Sequence, residues 1–110
     1  MKSIILNQTS IMETEFILNQ WKEPFFPLWV QEEFYQISCL CDSIFDKAYV
    51  RDAKVKVEFL VDGKPVHEHN FTFNGGGSFH SAIKDEVYKA LGDCPIQSKR
   101  VRITTTPEAA

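Results

Sequence analysis

The chain reads as an α+β domain: an antiparallel sheet with two helices packed on one face. Three stretches predict it. Lys54–Phe73 alternates polar and apolar residues on both sides of Asp62-Gly63, the pattern of a half-buried hairpin. From Leu28 to Val50 the apolar residues recur at spacings of three and four, the pattern of an amphipathic helix. Phe79 to Leu91 repeats that helical pattern behind Ser78, a residue suited to capping a helix N-terminus.

In chain order, Lys2–Asn7 and Glu15–Trp21 look strand-like, with a turn between them. Pro24 and Pro27 then interrupt any regular element, and Pro27 suits the first turn of the helix that follows. That helix buries Val30, Phe34, Ile37, Cys41, Ile44 and Ala48, with Tyr35, Phe45 and Tyr49 widening the stripe. The hairpin comes next. A three-residue turn with Gly63 left-handed would set Val57 opposite His67 and Val55 opposite His69. Val55, Val57, Phe59, His67, His69, Phe71 and Phe73 then share the inner face, and Leu60 and Val66 stay outside. The second helix buries Phe79, Ile83, Val87, Ala90 and Leu91, and Gly92 is expected to end it as a left-handed cap. Val101, Ile103 and Thr105 alternate with Arg100, Arg102 and Thr104 in a last strand. The order strand, helix, strand, strand, helix, strand matches the ferredoxin-like βαββαβ plan, with an extra N-terminal strand if both early runs are ordered.

The 110 residues make one domain over 1–110, and residues 1–12 and 106–110 are expected to be its loosest parts. A net charge of −3 gives no general attraction to nucleic acid or acidic membranes. The charge is uneven. Residues 1–50 carry three Lys/Arg against seven Asp/Glu, and residues 51–110 carry nine against eight. Cys39, Cys41 and Cys94 are odd in number, and no apolar run or leader-like start accompanies them, which points to a reducing cytoplasm. On a helix the Cys39 and Cys41 thiols would point about 200° apart, a poor chelate or disulfide.

Several clusters bear on function. Trp21, Phe25, Phe26, Trp29, Phe34 and Tyr35 are six large aromatics within fifteen residues. Some belong to the core; the rest are the residue types that dominate protein–protein contacts. Lys54, Lys56, Lys64, Arg100 and Arg102 would share the open sheet face, where RNA binds to some sheets of this plan, but no stacking aromatic lies among them and Glu58 and Glu68 interrupt the charge. His67 and His69 share one strand face, as a metal pair must, yet no further ligands follow at a recognisable spacing. The Gly75-Gly76-Gly77-Ser78 loop leads into a helix N-terminus that can hold an anion, without the Lys-Ser/Thr of a phosphate-binding loop. His80, Lys84 and Tyr88 fall on one outer helix stripe, where a solvated face is the simpler account.

No catalytic residue is assigned and no cofactor motif is found. The expectation is a small cytoplasmic protein-binding module of the inhibitor, adaptor, immunity or oligomer-subunit kind, using the aromatic segment. The alternatives are nucleic-acid binding through the basic sheet face, and an enzyme or a metal or anion binder using His67, His69 or the glycine loop.

Overall fold

A computed structural model describes the backbone of residues 9–46, 50–74, 78–93 and 98–109, and the side chains of 9–37, 53–74, 78–92 and 98–106. Its elements are β1 (Ser10–Glu15), β2 (Ile17–Leu18), β3 (Pro24–Phe25), α1 (Leu28–Asp46), β4 (Val50–Val61), β5 (Lys64–Phe73), α2 (Phe79–Asp93) and β6 (Arg100–Ala109). A four-stranded antiparallel sheet runs β1-β6-β4-β5, and β2 and β3 form a separate small hairpin. Both helices contribute to one apolar cluster with the sheet: Val30, Phe34 and Ile37 from α1, and Phe79, Ile83, Val87 and Ala90 from α2. They meet Met12, Val55, Val57, Phe59, Phe73, Val101 and Ile103. The fold class is therefore the expected one.

The central hairpin reaches the expected faces by a different route. Val61 pairs with Lys64, so Asp62-Gly63 is a two-residue turn. Both residues have positive φ, 53° and 76°, the conformation that matches hairpin twist. That turn alone would set Val57 opposite Glu68 and bury the wrong set. The register shifts between Phe59 and Leu60, where Leu60 pairs with Pro65 and Phe59 with His67, leaving Val66 as an extra residue. The bulge restores the parity: Val57 faces His69 and Val55 faces Phe71, each two residues beyond the partner expected. Pro65, which has no N–H to give a ladder, stands at this irregularity on an edge strand.

Strand order departs from the ferredoxin-like arrangement, in which the first and third strands hold the middle of the sheet. Here β4 and β6 hold the middle, and β1 and β5 are the edges among the described strands. The charges are compatible with this neighbourhood. Arg102 stands opposite Glu13 of β1 and Glu58 of β4, and Arg100 stands opposite Glu15. Opposite charges across a ladder favour that pairing and register.

Other boundaries also move. Ser10–Met12 and Thr106–Ala109, expected to be loose, are paired strand. Residues 10–14, expected to be a turn, belong to β1, and Glu15–Trp21 is broken into the end of β1 and the short β2. Lys2–Asn7 lies outside the described residues. α1 is described as far as Asp46, and Val50, expected to close that helix, belongs to β4. Gly92 lies inside α2 without a positive φ, so it is no left-handed cap. Ser78 caps as expected: its carbonyl accepts from Ala82 N–H at 3.0 Å and its hydroxyl from Ser81 N–H at 3.4 Å.

Candidate functional site

The aromatic segment divides between core and surface. The division begins at Asn19. Its Oδ1 accepts the N–H groups of Trp21 and Glu23, both at 2.9 Å, and its amide donates to the Glu23 carboxylate at 3.2 Å. Lys22 adopts φ 64° and donates its N–H to Asn19 O at 2.9 Å. An asparagine that satisfies its own turn in this way makes the β2–β3 bend tight, and Trp21 stands out at its tip. Ile17 pairs with Phe25 across the hairpin. Pro27 then ends the extended stretch: its carbonyl accepts from Val30 and Gln31, at 3.0 and 3.1 Å, and starts α1.

Phe26 and Phe34 turn inward. Their rings meet edge to face at 5.2 Å, Phe34 meets Phe79 at 5.8 Å, and Phe16 meets Phe26 at 5.9 Å. Both are buried, so neither is available as a contact residue, and the expectation is corrected for these two. Trp21, Trp29 and Tyr35 are more than half exposed, and Phe25 is 41% exposed. Tyr35 does not widen the buried stripe of α1, because the helical period places it opposite Val30 and Ile37. Ile17 and Leu28, which sequence reasoning passed over as strand and helix interior, are also more than half exposed. The signal for Leu28 was present: it sits outside the three-and-four spacing that starts at Val30.

Beside this surface lies a groove of about 660 Å³. Phe16, Ile17, Phe25, Phe26, Leu60 and Val61 form its apolar lining, and Glu15, Asp62, Lys99 and Arg100 carry charge around it. Leu60, expected outside, is buried here, while Val66 is exposed as expected. The Ser98 hydroxyl donates to Leu60 O, and Phe16 N–H donates to Lys99 O at 2.8 Å, which ties the end of β1, the β4–β5 turn and the start of β6 into one rim. A concave, mainly apolar groove of this size is the usual form of a binding site.

The remaining clusters are occupied differently. Arg102 Nε donates to Glu13 at 2.7 Å, with Glu58 at 3.7 Å, and Arg100 lies 3.8 and 3.7 Å from Glu13 and Glu15. The hydrogen bond to Glu13 leads in raising Arg102 above its ordinary value, with burial opposing. The open sheet face is thus a mixed-charge ladder, in which Glu13 and Glu15 join the expected Glu58 and Glu68 in breaking up the charge of Lys54, Lys56, Lys64, Arg100 and Arg102. Phosphate binding draws on unopposed positive charge, so this face is poorly suited to it. Glu13 falls in the stretch expected to be a turn, and Glu15 at the start of a strand with no expected partner.

His67 tilts against Phe59, centroids 5.8 Å apart, and His69 Nε2 lies 2.9 Å from the Glu86 carboxylate. They are engaged with different partners, and no group of three or more metal-ligating side chains gathers among the described residues. Burial raises Glu86, but the hydrogen bonds from His69 and Lys89 outweigh it and leave the carboxyl below its ordinary value. His80 stacks on Phe34 at 5.9 Å, and Lys84 lies 4.9 Å over the Phe25 ring. Burial first, then the Lys84 charge, holds His80 below its ordinary value. His80 and Lys84 thus brace Phe34 and Phe25 of the aromatic segment. Gly75–Gly77 and the side chains of Cys39, Cys41 and Cys94 lie outside the described residues. Among the described residues no helix is long and apolar enough to cross a membrane.

Compared with known proteins, the chain matches no family model, no curated protein and no solved structure.

Proposed function

We propose that this domain is a cytoplasmic protein-binding module. It acts by occupying a surface of a partner, as inhibitors, adaptors and oligomer subunits do. The contact residues are Ile17, Trp21, Phe25, Leu28, Trp29 and Tyr35, and the neighbouring groove takes an apolar side chain of the partner.

One observation carries the reading: these six large apolar side chains stand in solvent along one short segment and its adjoining helix face. With aromatic side chains of about 150–250 Å² each, they leave roughly 800 Å² of apolar side-chain surface uncovered. That matches one side of a standard interface, about 800 Å² per partner. Surfaces of this kind on a globular chain usually mark an interaction site. The fold also supplies rigidity. The Asn19 turn, the Pro27 start of α1 and the buried Phe26 and Phe34 hold the exposed rings in place, which lowers the ordering cost of binding.

The test compares proteins captured from the native host by the wild-type chain and by Leu28→Ser/Trp29→Ser, identified by mass spectrometry. Both residues are exposed, so the variant should keep the wild-type circular dichroism. The reading expects a partner held by the wild type and lost by the variant. Identical captures from the two folded proteins would refute it.

A further inference from the structure

The charges around this face say which kind of partner it fits. On the described outer surface of α1 the charged side chains are Glu32 and Glu33, both exposed and neither ion-paired among the described residues. They lie within one turn of Leu28, Trp29 and Tyr35, and Leu28, Glu32 and Tyr35 line one shallow depression. Glu23 adds a third carboxylate at the β2–β3 bend. Against them stand Lys22, in the same bend, Lys84, engaged over the Phe25 ring, and at the groove Lys99 and Arg100, the latter beside Glu13 and Glu15.

Carboxylates this close to a large apolar surface discriminate among occupants. A second copy docking face to face would bring both copies' Glu32 and Glu33 into one interface, because a two-fold contact pairs a patch with itself. Like charges juxtaposed in an interface cost affinity. An anionic membrane surface is disfavoured on the same ground. A segment carrying bulky apolar side chains together with Lys or Arg meets both features at once. Its apolar residues cover Leu28, Trp29 and Tyr35, and its cations face Glu32 and Glu33.

We infer that the partner presents a positively charged amphipathic segment, seated along α1 with one apolar side chain in the groove. This rests on the reading of the aromatic face as a docking surface. Opposite charge at the rim speeds encounter and selects the partner, while the buried apolar contacts set the lifetime of the complex.

Two dye-labelled synthetic peptides test it. They share length and Leu/Phe positions and carry Lys in one, Glu in the other, elsewhere. Fluorescence anisotropy is read against the wild-type chain at low and at physiological salt. The Lys peptide should bind at least tenfold tighter than the Glu peptide, and the gap should shrink with salt. Glu32→Gln/Glu33→Gln should narrow that preference, and Glu32→Lys/Glu33→Lys should reverse it. Leu28→Ser/Trp29→Ser should abolish binding of either peptide. Equal binding of both peptides, lost only in the Leu28→Ser/Trp29→Ser variant, would overturn the charge inference and leave the docking face standing. Lys-peptide binding unchanged in that variant would overturn the docking face as well, as would no binding of either peptide. A wild-type dimer in light scattering that dissociates in that variant would assign the face to a second copy and overturn the basic partner.

Discussion

Phe34 and Leu28 are apolar residues of the same helix, six positions apart, and the fold gives them opposite roles. Phe34 is 0% exposed and Leu28 is 79% exposed. Replacing Phe34 by alanine removes roughly 150 Å² of apolar surface from the core. At about 25 cal/mol per Å² this is about 4 kcal/mol. The same figure falls within the range of about 3–5 kcal/mol for buried Phe→Ala changes, which includes the cavity left behind. The ring contacts at 5.2 and 5.8 Å with Phe26 and Phe79 are lost with it. A domain of this size has about 5–15 kcal/mol in total, so Phe34→Ala should remove about a quarter or more of its stability. Leu28→Ala strips roughly 35 Å² of buried surface, less than about 1 kcal/mol, partly offset by the better helix propensity of alanine. Urea unfolding followed by far-ultraviolet circular dichroism reads both, from the shift in midpoint at constant slope. Equal losses in the two variants, or a Phe34→Ala loss below about 1.5 kcal/mol, would show that α1 is rotated from the placement described and that its exposed face is misassigned.

Further outcomes follow from the register, the buried polar groups and the histidine. Deleting Val66 removes only the bulge and leaves Phe59 opposite His67, so that variant should still melt cooperatively. Deleting Asn70 turns Phe71 and Phe73 outward and should abolish the transition, and equal behaviour of the two deletions would refute the register. The Thr105 hydroxyl is buried without a hydrogen-bond partner among the described residues. Thr105→Val keeps its shape and removes that burden, so urea unfolding should show a gain of about 1 kcal/mol, and a loss would mean the hydroxyl is bonded. His80 is held below its ordinary value of 6.5, so the unfolded chain takes up that proton first. Stability should therefore fall as pH drops below about 6.5 and level off once the folded ring is also protonated. His80→Gln should remove this step. Glu86, also lowered, adds a separate loss below its ordinary value of 4.5, where the unfolded carboxyl protonates before the folded one.

Much of the fold was legible because its signals are local. A helix or strand announces which side it buries through its own period, and Val30, Phe34, Ile83, Val87, Val55 and Val57 all lie where their spacing puts them. The hairpin faces were legible even though the turn was misread. Burial of Val57 and Phe59 requires one parity, and the bulge at Val66 satisfies it after the two-residue turn. The candidate site was less legible. Composition singled out the aromatic segment, but the period of α1 had to separate Phe34 from Tyr35, and the small β2–β3 hairpin had to turn Phe25 out and Phe26 in.

The sequence by itself determined the class of the domain, its two helices, the central hairpin and most of the core, since each depends on residues a few positions apart. Only the tertiary structure decided the strand order, the existence of β1 and the groove. Ser10–Glu15 has no strong strand period of its own, and it becomes a strand by pairing with β6, about ninety residues later, which buries Met12 and Thr14 and sets its glutamates opposite Arg100 and Arg102. The groove likewise joins Phe16, Leu60 and Ser98, which are distant in the chain and adjacent only once the sheet has closed around β6.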